Sequence, residues 1–515
     1  MDPGMLERPL AHRHGGGASL LKTTVALESL MTGLCRAVVA TLVIGCGWTG
    51  SASLSAADPP VGNVKPNILF LFTDDQAVDT IRALGNREIH TPNLDRLVEA
   101  GTTFNRCYNM GSWSPAVCIA SRSMLLTGRS VWRAQKIYDT AEQEREAGRW
   151  WPAYLKGAGY RTYMTGKWHL KASPEKSFDV VRHVRPGMPD DTPAGYNRPL
   201  AGKPDPWSPF DEQFGGFWEG GRHWSEIVAD DAIDYLNLAK EDPAPFFMYI
   251  AFNAPHDPRQ SPREFVEMYP PEKVSLPENF LSEYPFKDLI GCEPTLRDEK
   301  LAPFPRTPEA IRIHRSEYYA IVSHLDRQIG RILDALKESG KEKNTWIFFT
   351  ADHGLAVGRH GLVGKQNLYE HSVRVPFIAV GPKATAGERI DAPIYLQDVM
   401  PTALELAGVA KPDHVDFHSL LPLIEKREQR SSYDAIYGAY LGLQRMIESD
   451  GFKLIVYPKA NRVRLYHVAS DPLEKVDLAE DPKYRPEIAR LANVLRKWQQ
   501  VTGDTLSLTG LLPNK

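Results

Sequence analysis

Asn67-Ile68-Leu69-Phe70-Leu71-Phe72-Thr73-Asp74-Asp75 decides how the rest of the chain is read. An unbroken apolar run, with no polar residue at every second place, is the mark of a strand covered on both faces, as in a parallel sheet clothed by helices. Two carboxylates follow where the strand must leave the sheet. The same pattern recurs in Phe246–Phe252 (FFMYIAF), which runs into Asn253-Ala254-Pro255-His256, and in Thr345–Thr350 (TWIFFT), which runs into Asp352-His353-Gly354. Val375–Val380 is a fourth apolar run. Helix signals lie between them: Thr91-Pro92 as cap and first turn, closed by Gly101; Cys118–Leu126; Trp151–Lys156, with a strand after it at Arg161–Met164; Ile227–Leu238; and Ser316–Lys337, closed by Gly340. This alternation predicts an α/β fold, a large doubly wound mixed sheet flanked by helices. In open α/β sheets ligands bind at the carboxyl ends of the strands. Asp74, Asp75, His256, Asp352 and His353 are therefore predicted to share one site.

Residues 171–222 and 258–308 are rich in Pro and Gly without periodicity and read as long surface loops. After residue 425 the pattern changes to short, partly alternating runs at 434–440, 443–448, 452–457 and 463–468, with a tight-turn signal at Ser449-Asp450-Gly451. An amphipathic helix follows from Pro482 to Gln500. The expected organisation is a leader at 1–57, a catalytic domain at 58–425, and a smaller C-terminal α+β domain of antiparallel strands and a helix at 426–515.

Composition narrows the functional classes. Lys and Arg number 61 against 64 Asp and Glu, a net charge of −3, which excludes the basic excess of a dedicated nucleic-acid binder. With 42% hydrophobic and 24% charged residues, collagen, low-complexity disorder and a polytopic membrane protein are excluded. Ala37–Trp48 is apolar and uncharged, Arg36 precedes it, and small residues follow to Ala57. This is the pattern of a secretory signal, too short to cross a bilayer, which needs about 20 apolar residues. Residues 1–57 are read as a signal peptide with an upstream extension, Met31 giving a start of more usual length. The rest is expected to be exported, periplasmic or secreted, without a transmembrane segment. Val43-Ile44-Gly45-Cys46 also matches a lipoprotein cleavage box, which would anchor the chain by a lipid on Cys46. The exported part keeps Cys107, Cys118 and Cys292. An odd count leaves at least one of them unpaired and excludes a disulfide-rich scaffold; a Cys107–Cys292 bond stays open.

Cys118 stands in a dense motif. Cys118-Ile119-Ala120-Ser121-Arg122, followed by Leu125-Leu126-Thr127-Gly128-Arg129, resembles the signature of the type I sulfatases, Cys-x-(Pro/Ala)-Ser-Arg and then Thr-Gly. The resemblance runs through about residues 65–500 and includes Gly166-Lys167-Trp168-His169, Ala254-Pro255-His256, Asp352-His353-Gly354, Gly364-Lys365, Arg374-Val375-Pro376 and the stretch from Leu465-Tyr466-His467 to Asp471-Pro472. It implies a fold of the alkaline phosphatase superfamily and a sulfuric ester hydrolase, similar to iduronate-sulfatase-like and choline-sulfatase-like members. In that family a maturase oxidises the motif cysteine to formylglycine. The aldehyde hydrate supplies an oxygen that attacks sulfur, and its second hydroxyl lets the sulfo-enzyme expel sulfate by C–O cleavage. Without the motif, Cys118 would read as a buried free cysteine.

The resemblance also implies a divalent cation held by Asp74, Asp75, Asp352, His353 and residue 118. Carboxylate oxygens favour Ca²⁺, with Mg²⁺ as the alternative. His353 stands where Asn is commoner, as in iduronate-sulfatase-like members. Neighbours on a strand point to opposite faces, so Asp74 and Asp75 reach one ion only if the strand ends there; otherwise they read as a helix cap. By resemblance, Arg122 holds the hydrated aldehyde, Lys167 and Lys365 hold sulfate oxygens, His169 assists the diol and its decay, and His256 protonates the leaving alcohol or binds sulfate. His360 is a further candidate substrate contact. Trp113, Trp168, His223 and Trp224 stand where an aromatic ring can stack on a sugar or simply pack. The expected substrate is a sulfated carbohydrate attacked at a chain end. Choline sulfate, a small aryl sulfate, a phosphonate monoester or phosphodiester cleaved with the same formylglycine, and an unmodified carbohydrate-binding relative are the alternatives.

Overall fold

The computed structural model describes residues 65–190 and 192–513; the predicted leader, with Met31 and Cys46, lies outside the described residues. The strands of the large sheet are, in chain order, β1 (Asn67–Thr73), β2 (Thr102–Phe104), β3 (Arg161–Lys167), β4 (Val180–Arg185), β5 (Phe246–Ala251), β6 (Thr345–Ala351), β7 (Phe377–Val380) and β8 (Glu388–Ile390). Across the sheet they stand as β8-β2-β7-β6-β1-β5-β3-β4. From β6 to β4 neighbours run parallel. β7 is antiparallel to both β6 and β2, so the sheet is mixed, as expected.

The opening run is apolar throughout because both of its faces are covered. Ile68, Phe70 and Phe72 enter one core with Trp151, Tyr249 and Phe348, while Leu69 and Leu71 enter the other. That second core is closed by helices α4 (Trp224–Lys240) and α5 (Pro308–Glu338), which follow α1 (Pro92–Ala100), α2 (Val117–Thr127) and α3 (Val131–Ile137). Each fully buried Leu or Phe here contributes about 1.5–3 kcal/mol.

Several local expectations are corrected. Thr91 occupies the cap position of α1 but makes no cap bond. Asp326 of α5 does that work from outside, accepting the amides of Asn93 (3.1 Å) and Leu94 (2.7 Å). Helix α5 starts at Pro308, before the predicted Ser316, with Thr307 accepting the Ala310 amide. Its first turns bury His314 and Arg315, and polar residues on the inner face hide the apolar period. The supposed loop 171–222 contains β4, an edge strand whose half-exposed residues cannot form an apolar run. Val375–Val380 is not one strand. Pro376 has no N–H to give a ladder, and Arg374–Val375 pairs instead with Cys107–Tyr108.

The C-terminal strands β9 (Ile436–Tyr440), β10 (Gln444–Ser449), β11 (Phe452–Tyr457) and β12 (Arg462–His467) form an antiparallel meander, with α6 (Arg485–Thr502) packed on it. Asp450 and Gly451 have φ of 52° and 79°, the left-handed pair that a two-residue hairpin requires. A fifth strand was not foreseen. Gly111–Ser112 pairs in parallel with β9, so the chain just ahead of Cys118 is stitched into the smaller sheet. Cys107 and Cys292 are both free and buried; they do not form a disulfide. Cys107 lies in a core of the large sheet, and the Cys292 thiol donates to the Gln366 carbonyl at 3.2 Å. Among the described residues no helix is long and apolar enough to cross a membrane.

Candidate active site

Four adjacent parallel strands, β6, β1, β5 and β3, end at one edge of the sheet, and each delivers polar residues there. The register sets the order. Thr73 pairs with Ala351, so Asp74 comes level with Asp352; Ala251 pairs with both Phe72 and Gly166, which brings Lys167 to the same edge. Two backbone bonds continue past the strand ends, Asp352 N–H to Thr73 O (3.1 Å) and Asp74 N–H to Ala254 O (3.2 Å). The strand stops at Asp75, whose φ of 64° is left-handed, a conformation Asp tolerates better than most residues. Its amide donates to Asp352 Oδ1 (3.1 Å) and its carbonyl accepts from Tyr318 OH (2.6 Å). This turn lets neighbouring carboxylates serve one place.

Cys118 is the second residue of α2, and Arg122, four residues on, lies on the same face. The motif docks the helix onto the strand ends. Ser121 Oγ donates to Asp352 O (2.8 Å), Arg122 Nε to Asp352 Oδ2 (3.2 Å) and Arg122 Nη1 to Lys167 O (3.0 Å). Cys118 Sγ then lies 3.6 Å from His353 Nε2, 3.6 Å from Lys365 Nζ and 3.9 Å from Asp75 Oδ1. Lys365 Nζ donates to both Asp75 oxygens (2.8 and 2.6 Å), and Lys167 Nζ donates to Asp74 Oδ2. Lys365 comes from an irregular loop that the buried Glu299 carboxylate fixes by accepting the amides of Val363 (3.1 Å) and Gly364 (2.9 Å).

The donor set fits a divalent cation. Ligand atoms of Asp75, Cys118, Asp352 and His353 lie within 4.8 Å of one another, as do those of Asp74, Asp75, Cys118 and His256. His353 Nδ1 is 2.8 Å from Gly354 O; the proton it gives there leaves Nε2 with a lone pair on the cluster side. Asp74 Oδ1 is buried with no hydrogen-bond partner, and so is Arg122 Nη2, 3.8 Å away.

Burial dominates the electrostatics. It pushes the Asp75 carboxyl well up against the pull of Lys365. It also raises Asp352, but His353 and Arg122 outweigh it and hold that carboxyl below the usual range. Burial pushes the Cys118 thiol well up, with Asp74 adding to the effect. The side chain is therefore a neutral thiol, the opposite of an activated cysteine nucleophile. His169 is brought down to about 3 by burial, with Lys167 and Arg122 adding to it, and His256 is held well below its usual range by burial and Lys365. Both are neutral imidazoles at neutral pH.

A model of the family described as Sulfatase matches residues 66–409, well over half of the chain. The chain belongs to the sulfatase family. A second model, described as N-sulphoglucosamine sulphohydrolase, C-terminal, matches residues 358–501. The chain is 30% identical to an arylsulfatase of Clostridium perfringens over 84% of its own length and 94% of that protein's. It is 27% identical to an N-acetylglucosamine-6-O-sulfatase of Bacteroides thetaiotaomicron, covering 87% and 88% of the two chains. Among solved structures it resembles BT4656, in complex with its substrate D-glucosamine-2-N,6-O-disulfate, with a TM-score of 0.69 and 25% identity over 86% of this chain and 99% of the other. The enzyme is a sulfatase, a sulfuric ester hydrolase.

The sulfatase site opens into a cavity of about 270 Å³ whose walls include Cys118, His169, His256, Arg297, Asp298 and Lys365. Grooves of about 670 and 790 Å³ exist elsewhere, but neither touches the cysteine motif. All ten predicted site positions, Asp74, Asp75, Cys118, Arg122, Lys167, His169, His256, Asp352, His353 and Lys365, meet at this edge, either in the cluster or on the cavity wall. His169 has φ 59°, and its ring passes so close to Gly187 that a Cβ there would stand 2.2 Å from Nε2. Gly166, at φ 90° beside a register shift in β3, likewise has no room for a side chain, with Ala251 O 1.8 Å from where Cβ would be.

Sequence reasoning missed Asp257, Arg297, Asp298 and Gln366. Arg297 donates to Asp257 Oδ2 and pairs with Asp298, with Nη2 3.5 Å from His256 Nε2. Gln366 Nε2 donates to Pro115 O (3.1 Å) and Asp298 Oδ2 (2.7 Å). Asp257 and Gln366 directly follow His256 and Lys365 and were within reach; Arg297 and Asp298 lie in an aperiodic loop. His360 is not a wall of the cavity. It stacks on Tyr369 with centroids 4.0 Å apart, and its Nε2 is 3.0 Å from Glu474 O. Trp168 is buried in the core, His223 caps α4, and Trp224 lies beneath Arg185.

Proposed function

We propose that this sulfatase removes sulfate from the end unit of a sulfated carbohydrate, with residue 118 carried as formylglycine and Ca²⁺ as its ion. The observation that carries the reading is the convergence of Asp74, Asp75, Asp352 and His353 on a buried, neutral Cys118 at the floor of a cavity walled by His169, His256 and Lys365. The bound ion would supply positive charge to a sulfate oxygen, and the hydrated aldehyde would supply the attacking oxygen. Asp74, Asp75, Asp352 and His353 would hold the ion. Lys167 and Lys365 bring ammonium groups on flexible stems, able to turn from their carboxylates to sulfate oxygens as charge develops there. Arg122 holds residue 118 in register through Asp352. His256 gives its Nδ1 proton to Asp257 O at 2.7 Å, which leaves Nε2 as a proton acceptor, while His169 Nδ1 is buried without a partner. An arriving sulfate anion offsets the lysine charge that depresses both histidines and so favours their protonated, donating forms.

About 270 Å³ is at the small end for a ligand pocket and suits one sulfated sugar at a chain end better than the middle of a polymer. The relatives named N-acetylglucosamine-6-O-sulfatase and BT4656, the latter solved with D-glucosamine-2-N,6-O-disulfate, support a carbohydrate; a choline-sulfatase of Rhizobium meliloti is equally similar, at 27% identity, which is why choline sulfate stands in the test. The signal-like segment at 37–57 supports an exported enzyme, modified by a maturase before or during export.

The test is the peptide mass across residue 118, from protein made with a formylglycine-generating maturase. It is followed by turnover of sulfated sugars, choline sulfate, 4-nitrophenyl sulfate and bis(4-nitrophenyl) phosphate. An aldehyde at 118 with sulfated sugars as the best substrates is expected. Preference for the phosphodiester would overturn the substrate class, and an unmodified thiol in fully active enzyme would overturn the nucleophile.

A further inference from the structure

Trp113 belongs neither to the catalytic cluster nor to its cavity, yet it stands five residues before Cys118. It lines a second cavity of about 500 Å³, closed on the other side by Trp132 and Lys136 of α3 and by the tail at 503–507. The floor of this cavity is held by hydrogen bonds. Buried Arg445 donates to both Asp504 oxygens (2.7 and 2.8 Å), and Tyr437 OH bridges Trp132 Nε1 (2.9 Å) to Asp504 Oδ2 (2.9 Å). The Arg445 guanidinium lies 4.7 Å from the Trp132 ring centre. Lys136, by contrast, is exposed and has no ion-pair or hydrogen-bond partner among the described residues.

The two cavities adjoin. Trp113 lines one, Pro115 and Ala116 line the other, and two residues of chain span no more than about 7 Å. Ser114, the residue between them, is half-buried and Pro115 is exposed, so the chain that separates the cavities runs at the surface and not through the core. Gln366, on the wall of the catalytic cavity, accepts at its carbonyl from Nε2 of Gln444 (2.8 Å), the neighbour of Arg445 in the second cavity.

Aromatic faces carry negative charge density and pack against C–H groups, while an unpaired cation beside them selects an anionic substituent. A pyranose bearing sulfate or carboxylate offers both. We propose that the cavity between Trp113, Trp132 and Lys136 holds a second sugar unit of the sulfated chain whose end unit occupies the catalytic cavity, with Lys136 taking that unit's anionic group. This rests on the carbohydrate reading above. It assigns the smaller sheet and its tail a part in selecting chain length.

The experiment compares kcat/KM for sulfated monosaccharides with that for size-fractionated heparin, carrageenan and ulvan oligosaccharides, in wild type, Trp113→Ala and Lys136→Ala. The wild type is expected to favour tetrasaccharides over monosaccharides by roughly tenfold or more. Both variants should lose that preference, Lys136→Ala by abolishing its dependence on salt. Lys136 is exposed, so this variant tests the idea even where Trp113→Ala disturbs folding. Oligosaccharide turnover with the wild-type length preference intact in Lys136→Ala overturns the second site and leaves the carbohydrate reading standing. Turnover of 4-nitrophenyl sulfate but of no sulfated carbohydrate of any length overturns both.

Discussion

Two buried clusters in this molecule have the same inventory of charge and opposite uses. At the strand ends, Asp74, Asp75 and Asp352 face Arg122, Lys167 and Lys365. Between the large sheet and the C-terminal meander, Glu370, Glu448 and Glu474 face Arg106, Arg374 and Lys453. Lys453 Nζ lies 3.0 Å from Glu370 and 2.8 Å from Glu474, Arg374 lies 3.3 Å from Glu370, and Arg106 pairs with Glu448. Both clusters hold polar atoms without a hydrogen-bond partner, so that criterion does not separate them. Convergence on a thiol and an imidazole does. In the first, acidic groups crowd one another around a thiol and an imidazole beside about 270 Å³ of space. In the second, a lysine is threaded between the carboxylates and the Glu370 amide donates to Glu474 (2.7 Å); a hollow of about 60 Å³ adjoins Glu370 and Glu474, and the groove of about 790 Å³ adjoins Arg106 and Glu448. Buried charge is therefore weak evidence of a site. Like charges turned toward each other around a thiol and imidazoles are stronger evidence.

Substitutions should separate the two clusters, one through turnover and the other through stability. The largest effect is expected from Cys118→Ala, which should lower kcat/KM by at least about 10⁴-fold while the melting temperature stays within a few degrees of wild type. Near-normal turnover would remove the first cluster from the chemistry. Chelation comes next. Exhaustive dialysis against EGTA should lower activity at least about 100-fold, and Ca²⁺ should restore it. Full activity in protein shown by elemental analysis to be free of metal would break the reading of Asp74, Asp75, Asp352 and His353 as ion ligands. Lys453→Met should do the reverse. It leaves Glu370 and Glu474 buried without their shared cation, so urea unfolding should report a loss of about 3–5 kcal/mol, with kcat of the folded fraction unchanged. A stable but inactive Lys453→Met would mean that the second cluster also serves the reaction.

The first cluster was legible in the sequence and the second was not, and the reason is physical. Parallel strands buried on both faces must be apolar, so the polar residues that follow them stand out, and the edge of the sheet collects them whatever the loops do. Asp74, His256 and Asp352 were found on that ground, while Arg122, Lys167, His169 and Lys365 needed the family motif beside them. Lys365 illustrates the limit: it reaches the site through an irregular loop held by Glu299, and nothing in local spacing announces such a loop. Arg297 and Asp298 lie in an equally aperiodic stretch and went unseen. Likewise β4 escaped because an edge strand need not be apolar, and the pairing of Gly111–Ser112 with β9 joins residues more than 300 positions apart. Glu370, Glu448, Lys453 and Glu474 come from a short helix, two strands and a turn, and their sequence neighbours give no hint that they meet.

The smallest effect should be one of pH, and it sharpens the contrast by asking whether the second cluster is fully charged. Burial pushes the Glu474 carboxyl up to about 7, Lys453 opposing and Glu370 adding to the rise. The ordinary value is near 4.5, so between these limits the folded protein keeps a proton that the unfolded chain has released. The stability this contributes is complete below about pH 4.5 and is lost as pH rises through about 7, with a slope of at most about 1.4 kcal/mol per pH unit. Urea titrations of wild type and Glu474→Gln between pH 4.5 and 7.5 isolate it, because the amide cannot titrate. The wild type should lose stability relative to the variant as pH increases. Parallel curves would show that Lys453 keeps Glu474 ionised throughout, and the second cluster would then be a permanent ion network, differing from the first in geometry alone.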